Sequence, residues 1–142
     1  LTYGPGARKG DTRVINQFIE QALTQQRIEL RDAGQAKRTY CYIADALEMM
    51  MKIVVSGQEE VYNIGRISDT TILELAQEIQ TQTGCELIVP PSNANSLLSA
   101  PPSVKLDLSK TLGTIEKSED TFIPLSDGIK RTLDFAKENL YT

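Results

Sequence analysis

Lys37-Arg38-Thr39-Tyr40-Cys41-Tyr42-Ile43-Ala44-Asp45 runs an extended, aromatic and β-branched segment straight into an apolar helical pattern that covers residues 43–55. A strand that feeds directly into a helix is the repeating unit of an α/β fold. Arg38 stands at the start of this segment, where neighbours would hold its side chain. A guanidinium so held presents two parallel donors to a phosphate or a carboxylate. The alternative is an exposed arginine flanking an ordinary strand, and the stretch by itself leaves both readings open.

The segments on either side continue the alternation of short strands and helices. Upstream, Tyr3-Gly4-Pro5-Gly6 reads as a turn. Asp11 or Thr12 can cap a helix over residues 13–26 whose apolar ridge is Val14, Phe18 and Ala22, backed by Ile15, Ile19 and Leu23. Ile28-Glu29-Leu30 alternates like a strand and ends in a turn around Asp32-Ala33-Gly34, and residues 39–43 read as extended. The helix over residues 43–55 is expected to bury Ile43, Leu47, Met50, Met51 and Val54, with Gly57 just past its end. The Met49-Met50-Met51 run reads as core filling.

Downstream, Val61-Tyr62-Asn63-Ile64-Gly65 reads as a short buried strand. Residues 68–71 supply caps for a helix with Ile72, Leu75, Ala76 and Ile79 on one face, closed by Gly84. Residues 86–89 form a strand, and residues 90–103 a long Pro- and Ser-rich loop of the kind that is often functional. A short helical turn is expected over residues 106–112. Ser126-Asp127 then caps a last amphipathic helix with Ile129, Leu133, Ala136 and Leu140 inward.

The 142 residues are one domain's worth of sequence, 40% hydrophobic and 24% charged, as in ordinary globular proteins. A net charge of -4 argues against nucleic acid as a partner, and no apolar run is long enough to span a bilayer, so no membrane partner is expected. Cys41 and Cys85 form no CxxC pair and fit small apolar fillers in a reducing cytoplasm, with a single disulfide left open. The sequence has no histidine. Ser-His-Asp and Cys-His nucleophile systems and His-ligated metals are thereby excluded, and no metal site is expected. The chain opens at Leu1, directly before a turn, which reads as the interior of a longer polypeptide.

Taken in order, these motifs resemble the C-terminal part of an NAD-dependent nucleotide-sugar epimerase/dehydratase of the extended short-chain dehydrogenase/reductase family. The likeness is nearest to its UDP-glucuronate decarboxylase and dTDP-glucose dehydratase members. The residues that carry it are Tyr3-Gly4-Pro5-Gly6, Asp11-Thr12-Arg13-Val14, Arg38 through Asp45, Tyr62-Asn63-Ile64-Gly65, residues 71–76 and Leu106-Asp107. The resemblance implies an α/β fold in which residues 1–142 are the substrate-side portion. It places the Rossmann cofactor unit, with its glycine turn, upstream and largely outside this chain. The family's Tyr-x-x-x-Lys pair, in which lysine helps tyrosine act as a base, is missing too. Four residues beyond Tyr3, Tyr40, Tyr42 and Tyr62 stand Ala7, Ala44, Ala46 and Arg66. No catalytic residue and no cofactor are therefore expected in this chain. NAD would belong to the parent enzyme, which would be a homodimer.

The resemblance also implies substrate contacts for a UDP- or dTDP-sugar. Arg38 corresponds to the arginine that reaches the diphosphate. Arg13, Val14 and Asn16 lie at a helix start near the nucleotide, with a charge of the capping turn, a core valine and a solvated amide as their alternative readings. Leu30 and Arg31 belong to the base-binding edge, where an aromatic commonly takes the place of Arg31. Asp32 stands for a glycine and Ala36 for a glutamine of the family pattern. The second phosphate arginine is replaced by Ser103 and Val104, which leaves Lys105 as the nearest cation. The implied function is a nucleotide-sugar-binding portion of an epimerase, dehydratase or decarboxylase, inactive by itself. A non-catalytic nucleotide-binding or interaction module reusing the fold is the alternative. The resemblance also has the helix over residues 43–55 pack against the cofactor unit, so this chain is expected to expose part of its apolar surface or to cover it by self-association.

Overall fold

The computed structural model describes residues 1–58, 60–91, 103 and 105–141. It is a mixed α/β fold of six short strands, five α-helices and one 3-10 turn (Glu119–Thr121) among those residues. Strand β1 (Thr2–Tyr3) pairs in parallel with β4 (Cys41–Tyr42), and β2 (Arg27–Glu29) pairs in parallel with β6 (Glu86–Ile88). Strand β3 (Lys37–Thr39) pairs antiparallel with β5 (Asp69–Thr71), with Arg38 opposite Thr70 and Thr39 opposite Asp69. The extended run of the sequence is thus two strands that break at Tyr40 and serve two different sheets.

Helix α1 (Val14–Gln25) begins where the Asp11 carboxylate accepts the backbone N–H of Arg13 at 2.9 Å, which satisfies one of the donors a helix start leaves over. Its apolar ridge packs Ile15, Phe18, Ile19 and Ala22 against Leu75, Ala76 and Ile79 of α3 (Ile72–Thr83). Ile129, Leu133 and Ala136 of α5 (Leu125–Asn139) close the same core, together with Tyr3, Ile28, Tyr40 and Tyr42 from the strands. The Tyr3 ring meets Tyr40 and Tyr42 edge-on, at centroid distances of 6.3 and 5.7 Å, in the geometry that aromatic quadrupoles favour. A second, smaller cluster joins Cys41 with Ala46 and Met49 of α2 (Ile43–Ser56), and with Ile115 and Phe122.

The inward side of α2 differs from the expected one. Asp45, Ala46 and Met49 are its buried residues, whereas Leu47, Met50, Met51 and Val54 are exposed and Ile43 is half-buried. A buried ion pair turned the helix. Asp45 lies 3.5 Å from Lys117, both side chains are about 95% enclosed, and Asp45 also accepts the backbone N–H of Ile123 at 3.0 Å. Lys117 stands 4.8 Å from the Phe122 ring centroid and 2.6 Å from Glu48. A charge is taken out of water only where partners meet it, so the Asp45 side had to face inward. Of the methionine run only Met49 fills the core.

Residues 61–65 form no strand, and Val61 is exposed. Their order comes from side chains instead: Thr111 Oγ1 donates to the Asn63 carbonyl at 2.7 Å, and the Asn63 amide donates to the Asp107 carbonyl at 2.9 Å. The short helix α4 (Ser109–Thr114) starts three residues later than expected, and α5 starts at Leu125 with Pro124 as its N-cap, ahead of Ser126 and Asp127. The expected loop over residues 90–103 lies mostly outside the described residues. Both cysteines are free and buried, and burial pushes the Cys41 thiol up to about 11.

The start of α3 carries a capping box: Thr71 Oγ1 accepts the N–H of Glu74, and the Glu74 carboxylate accepts the N–H of Thr71 at 2.7 Å. These hydrogen bonds hold the Glu74 carboxyl below its usual value. Its contribution is therefore present above the ordinary glutamate range and is lost as pH falls through the lowered folded value. Thr71→Ala should cost about 1 kcal/mol of stability at neutral pH. In urea titrations across pH, Glu74→Gln should flatten the acid limb of the stability curve, and an unchanged limb would contradict the assignment.

Candidate functional site

A concave feature with both apolar and polar walls lies where α1 begins and β2 ends. It is a cavity of about 300 Å³ lined by Val14, Phe18, Leu30 and Ile72 on its apolar side. Thr12, Gln17, Gln21, Glu29, Arg31, Asp32 and Ala36 make up the rest. The cavity sits beyond the carboxyl end of a parallel strand, where α/β folds collect their ligands.

Three of the residues singled out in the sequence meet there: Val14, Leu30 and Arg31. Leu30 is buried and is fixed by its N–H, which donates to the Ile88 carbonyl at 3.0 Å. Arg31 is exposed on the rim, with no hydrogen bond or ion pair to another described residue. Sequence reasoning missed Gln17, Gln21 and Phe18. Their signal was the spacing 14, 17, 18, 21, one face of a helix on which two amides interrupt an apolar stripe.

Arg38 is not a wall residue. Ala36 lines the cavity, and successive side chains of an extended chain alternate, so Arg38 projects on the side of Ala36 about 7 Å further along. Arg38 is half-buried, and its Nη1 donates to the Lys37 carbonyl at 2.6 Å. Lys37 projects oppositely and lies 3.6 Å from Asp69. Lys105, largely exposed, lies 3.9 Å from the same carboxylate. Asp69 is the register partner of Thr39 and shares its side of the pairing, so Lys105 reaches the face opposite Arg38.

Arg13 and Asn16 lie apart from the cavity. The Arg13 guanidinium clasps Asp11 through Nε at 3.0 and 3.1 Å and donates from Nη1 to the Thr2 carbonyl at 2.9 Å, which ties α1 to β1. Asn16 is buried between α1 and α5, and its amide nitrogen has no partner among the described residues. It faces a void of about 10 Å³ shared with Thr132, roughly the space of one water.

The glycine-rich segment before α1 does not fit a dinucleotide pyrophosphate. The Arg13 guanidinium and N–H hold the Asp11 carboxyl well below the usual carboxylate range, so a fixed negative charge occupies the helix start that a phosphate would need. Nor do the buried tyrosines suit proton abstraction. Burial pushes Tyr40 up to about 12, and Tyr3 higher still. No group of His, Cys, Asp and Glu able to hold a metal occurs among the described residues. The arrangement suits binding a group with an apolar face and polar edges.

Residues 1–65 match the model of the NAD dependent epimerase/dehydratase family. The chain is 35% identical over 89 residues to UDP-glucuronic acid decarboxylase 6 of Arabidopsis thaliana, which covers 63% of this chain and 24% of that protein. It superposes on the Bordetella bronchiseptica enzyme WbmF in complex with NADH with a TM-score of 0.79 and 26% identity, over 98% of this chain and 44% of that one. The UDP-glucuronic acid 4-epimerase of Bacillus cereus, solved with UDP-4-deoxy-4-fluoro-glucuronic acid and NAD, shares the fold at a TM-score of 0.79 and 23% identity, over 96% of this chain and 43% of that one. The chain thus spans less than half the length of each.

The walls of the cavity make opposite demands on stability. Leu30→Ala should cost about 2–5 kcal/mol, the range for emptying a buried leucine site. Arg31→Ala should change stability by less than about 0.5 kcal/mol. Chemical denaturation of the two variants checks the placement, and equal losses would contradict it.

Proposed function

We propose, on the premise that this chain carries the sequence and fold of the NAD-dependent epimerase/dehydratase family, that it is the nucleotide-sugar-binding portion of such an enzyme. The observation that supports this reading most is the cavity that brings Val14, Leu30 and Arg31 together; alternation along the chain then puts Arg38 on the side of Ala36, beyond the cavity. A pyrimidine of a UDP- or dTDP-sugar would lie over Val14, Phe18 and Ile72, with Gln17 and Gln21 at its polar edge. The ribose would follow the wall at Ala36, and the diphosphate would meet the Arg38 fork. Arg31 would stack on the base, a role a planar guanidinium shares with an aromatic ring. Lys105, turned to Asp69, would take no part. Arg13 and Asn16 would act only by holding α1 in place.

The decarboxylase relative supports UDP-glucuronate as the substrate of the parent. Redox chemistry would need NAD and a base from a cofactor-binding unit outside residues 1–142. The chain by itself would be inactive and would not hold NAD, because Asp11 occupies the glycine-flanked start of α1. The remaining activity would be epimerisation, dehydration or decarboxylation of the sugar. The second reading, a binding module without catalysis, predicts the same pocket and differs only in lacking that unit.

Two measurements test the proposal. Arg38→Ala should weaken binding of UDP by about 2 kcal/mol or more in calorimetric titration, and Arg38→Lys should recover only part of it, since a point charge cannot replace the fork. Wild-type affinity in Arg38→Ala would remove Arg38 from the site. In saturation-transfer NMR, NAD should give no specific signal with this chain. A micromolar NAD site would overturn the division between cofactor unit and substrate unit.

A further inference from the structure

Gln17 and Gln21 stand four residues apart on α1, a spacing that makes side chains neighbours, and both line the cavity. The backbone fixes one end of each amide. Gln17 Nε2 donates to the Thr12 carbonyl at 2.9 Å, which leaves Oε1 as the end with no partner among the described residues. Gln21 is held the other way round. Its Oε1 accepts the backbone N–H of Glu29 at 3.2 Å, so Nε2 is the end left over. These two bonds settle the orientation of each amide, one end of which is an acceptor and the other a donor.

The wall therefore sets an acceptor beside a donor, and the matching ligand edge sets an N–H beside an acceptor. Uracil and thymine carry such an edge twice, because their N3–H lies between two carbonyl groups. With N3–H on Gln17 Oε1, either carbonyl can accept from Gln21 Nε2, so the ring fits with either face down. Cytosine offers the same pair only once, through its 4-amino group and N3. The remaining polar walls select less. Thr12, Glu29 and Arg31 are exposed, so water serves them whatever ligand enters, whereas Gln17 and Gln21 are half-buried. Asp32 is half-buried too, and its carboxylate already accepts the Gly34 N–H at 2.7 Å. Partners that are fixed and partly out of water reject an edge that leaves them unmet.

We propose that Gln17 and Gln21 are the residues that select the base, and that they select a pyrimidine imide: Gln17 Oε1 accepts N3–H, and Gln21 Nε2 donates to a flanking carbonyl. The inference rests on the nucleotide-sugar reading of the cavity and adds which bases the cavity takes. The 5-methyl group that separates thymine from uracil lies off this edge, so the pair does not choose between those two.

Calorimetric titration of the chain with UDP, CDP and the 5′-diphosphates of 3-methyluridine and 5-methyluridine tests it. UDP should bind about tenfold more tightly than CDP or the 3-methyl analogue, the worth of one hydrogen bond whose partner is left unmet. The 5-methyl analogue, with the same methyl group off the edge, should match UDP. Gln21→Glu keeps an acceptor for the Glu29 N–H and removes the donor. Its melting curve should therefore be unchanged, while its preference for UDP over CDP should fall about tenfold. A wild type that binds UDP and CDP equally, or tolerates the 3-methyl group, overturns the base assignment and leaves the nucleotide-sugar reading standing. So does a Gln21→Glu chain that keeps the wild-type preference. A wild type that binds none of the four diphosphates overturns the nucleotide-sugar reading itself, and this inference with it.

Discussion

The first turn of α3 is the constraint on which the candidate site depends. A helix start leaves backbone donors without partners inside the helix, and burial makes each of them costly unless met. Here Ile72 N–H donates to the Ala36 carbonyl and Leu73 N–H to the Gly34 carbonyl, both at 3.0 Å, while the capping box serves Thr71 and Glu74. The segment between β2 and β3 is therefore pinned against the helix by its own carbonyls. Gly34 must be glycine for this contact. Its φ is +67°, and a Cβ would come within 2.8 Å of the Leu73 nitrogen. Pinned in this way, the segment brings Asp32 and Ala36 to the wall of the cavity and delivers β3, with Arg38, along a fixed line.

Much of the fold was legible because its periods are strong. The α1, α3 and α5 ridges recur at helical spacing, and each ridge is the one found buried in the main core. Thr71 and Gly84 announce the ends of α3 by chemistry, a hydroxyl cap and a left-handed stop at φ 70°. Helix α2 defeated the same reasoning. Its apolar residues cover more than one side, so periodicity offered no unique inward face, and the choice was made by a charge. Asp45 goes inward to Lys117, a residue seventy-two positions away that no local pattern connects to it. Residues 61–65 failed for a related reason: an apolar, β-branched run reads as a strand, but the hydrogen bonds that order it run from the Thr111 hydroxyl to the Asn63 carbonyl and from the Asn63 side-chain amide to the Asp107 carbonyl rather than along a ladder.

The site was legible in part. Val14, Leu30 and Arg31 converge, and Arg38 shares a strand side with the cavity wall, because alternation along an extended chain is a local rule. Which side of a sheet Lys105 reaches depends on a long-range pairing, with Ser103 bridging Lys37, that spacing does not encode. Arg13 was drawn toward Asp11 and the Thr2 carbonyl, a clasp that exists only once β1 lies beside α1. Gln17 and Gln21 were overlooked because amides on a ridge read as solvated when the ridge is assigned to the core. They interrupt the apolar stripe where the cavity opens.

The central claim is that one continuous surface, from Val14 through Leu30 and Ala36 to Arg38, receives a nucleoside diphosphate. The most direct measurement is a chemical-shift map of the isotopically labelled chain titrated with UDP. The account predicts saturable shifts confined to Val14, Gln17, Leu30, Arg31, Ala36 and Arg38, with Lys105 and Asn16 unmoved. Shifts centred elsewhere, or none at millimolar UDP, would contradict it.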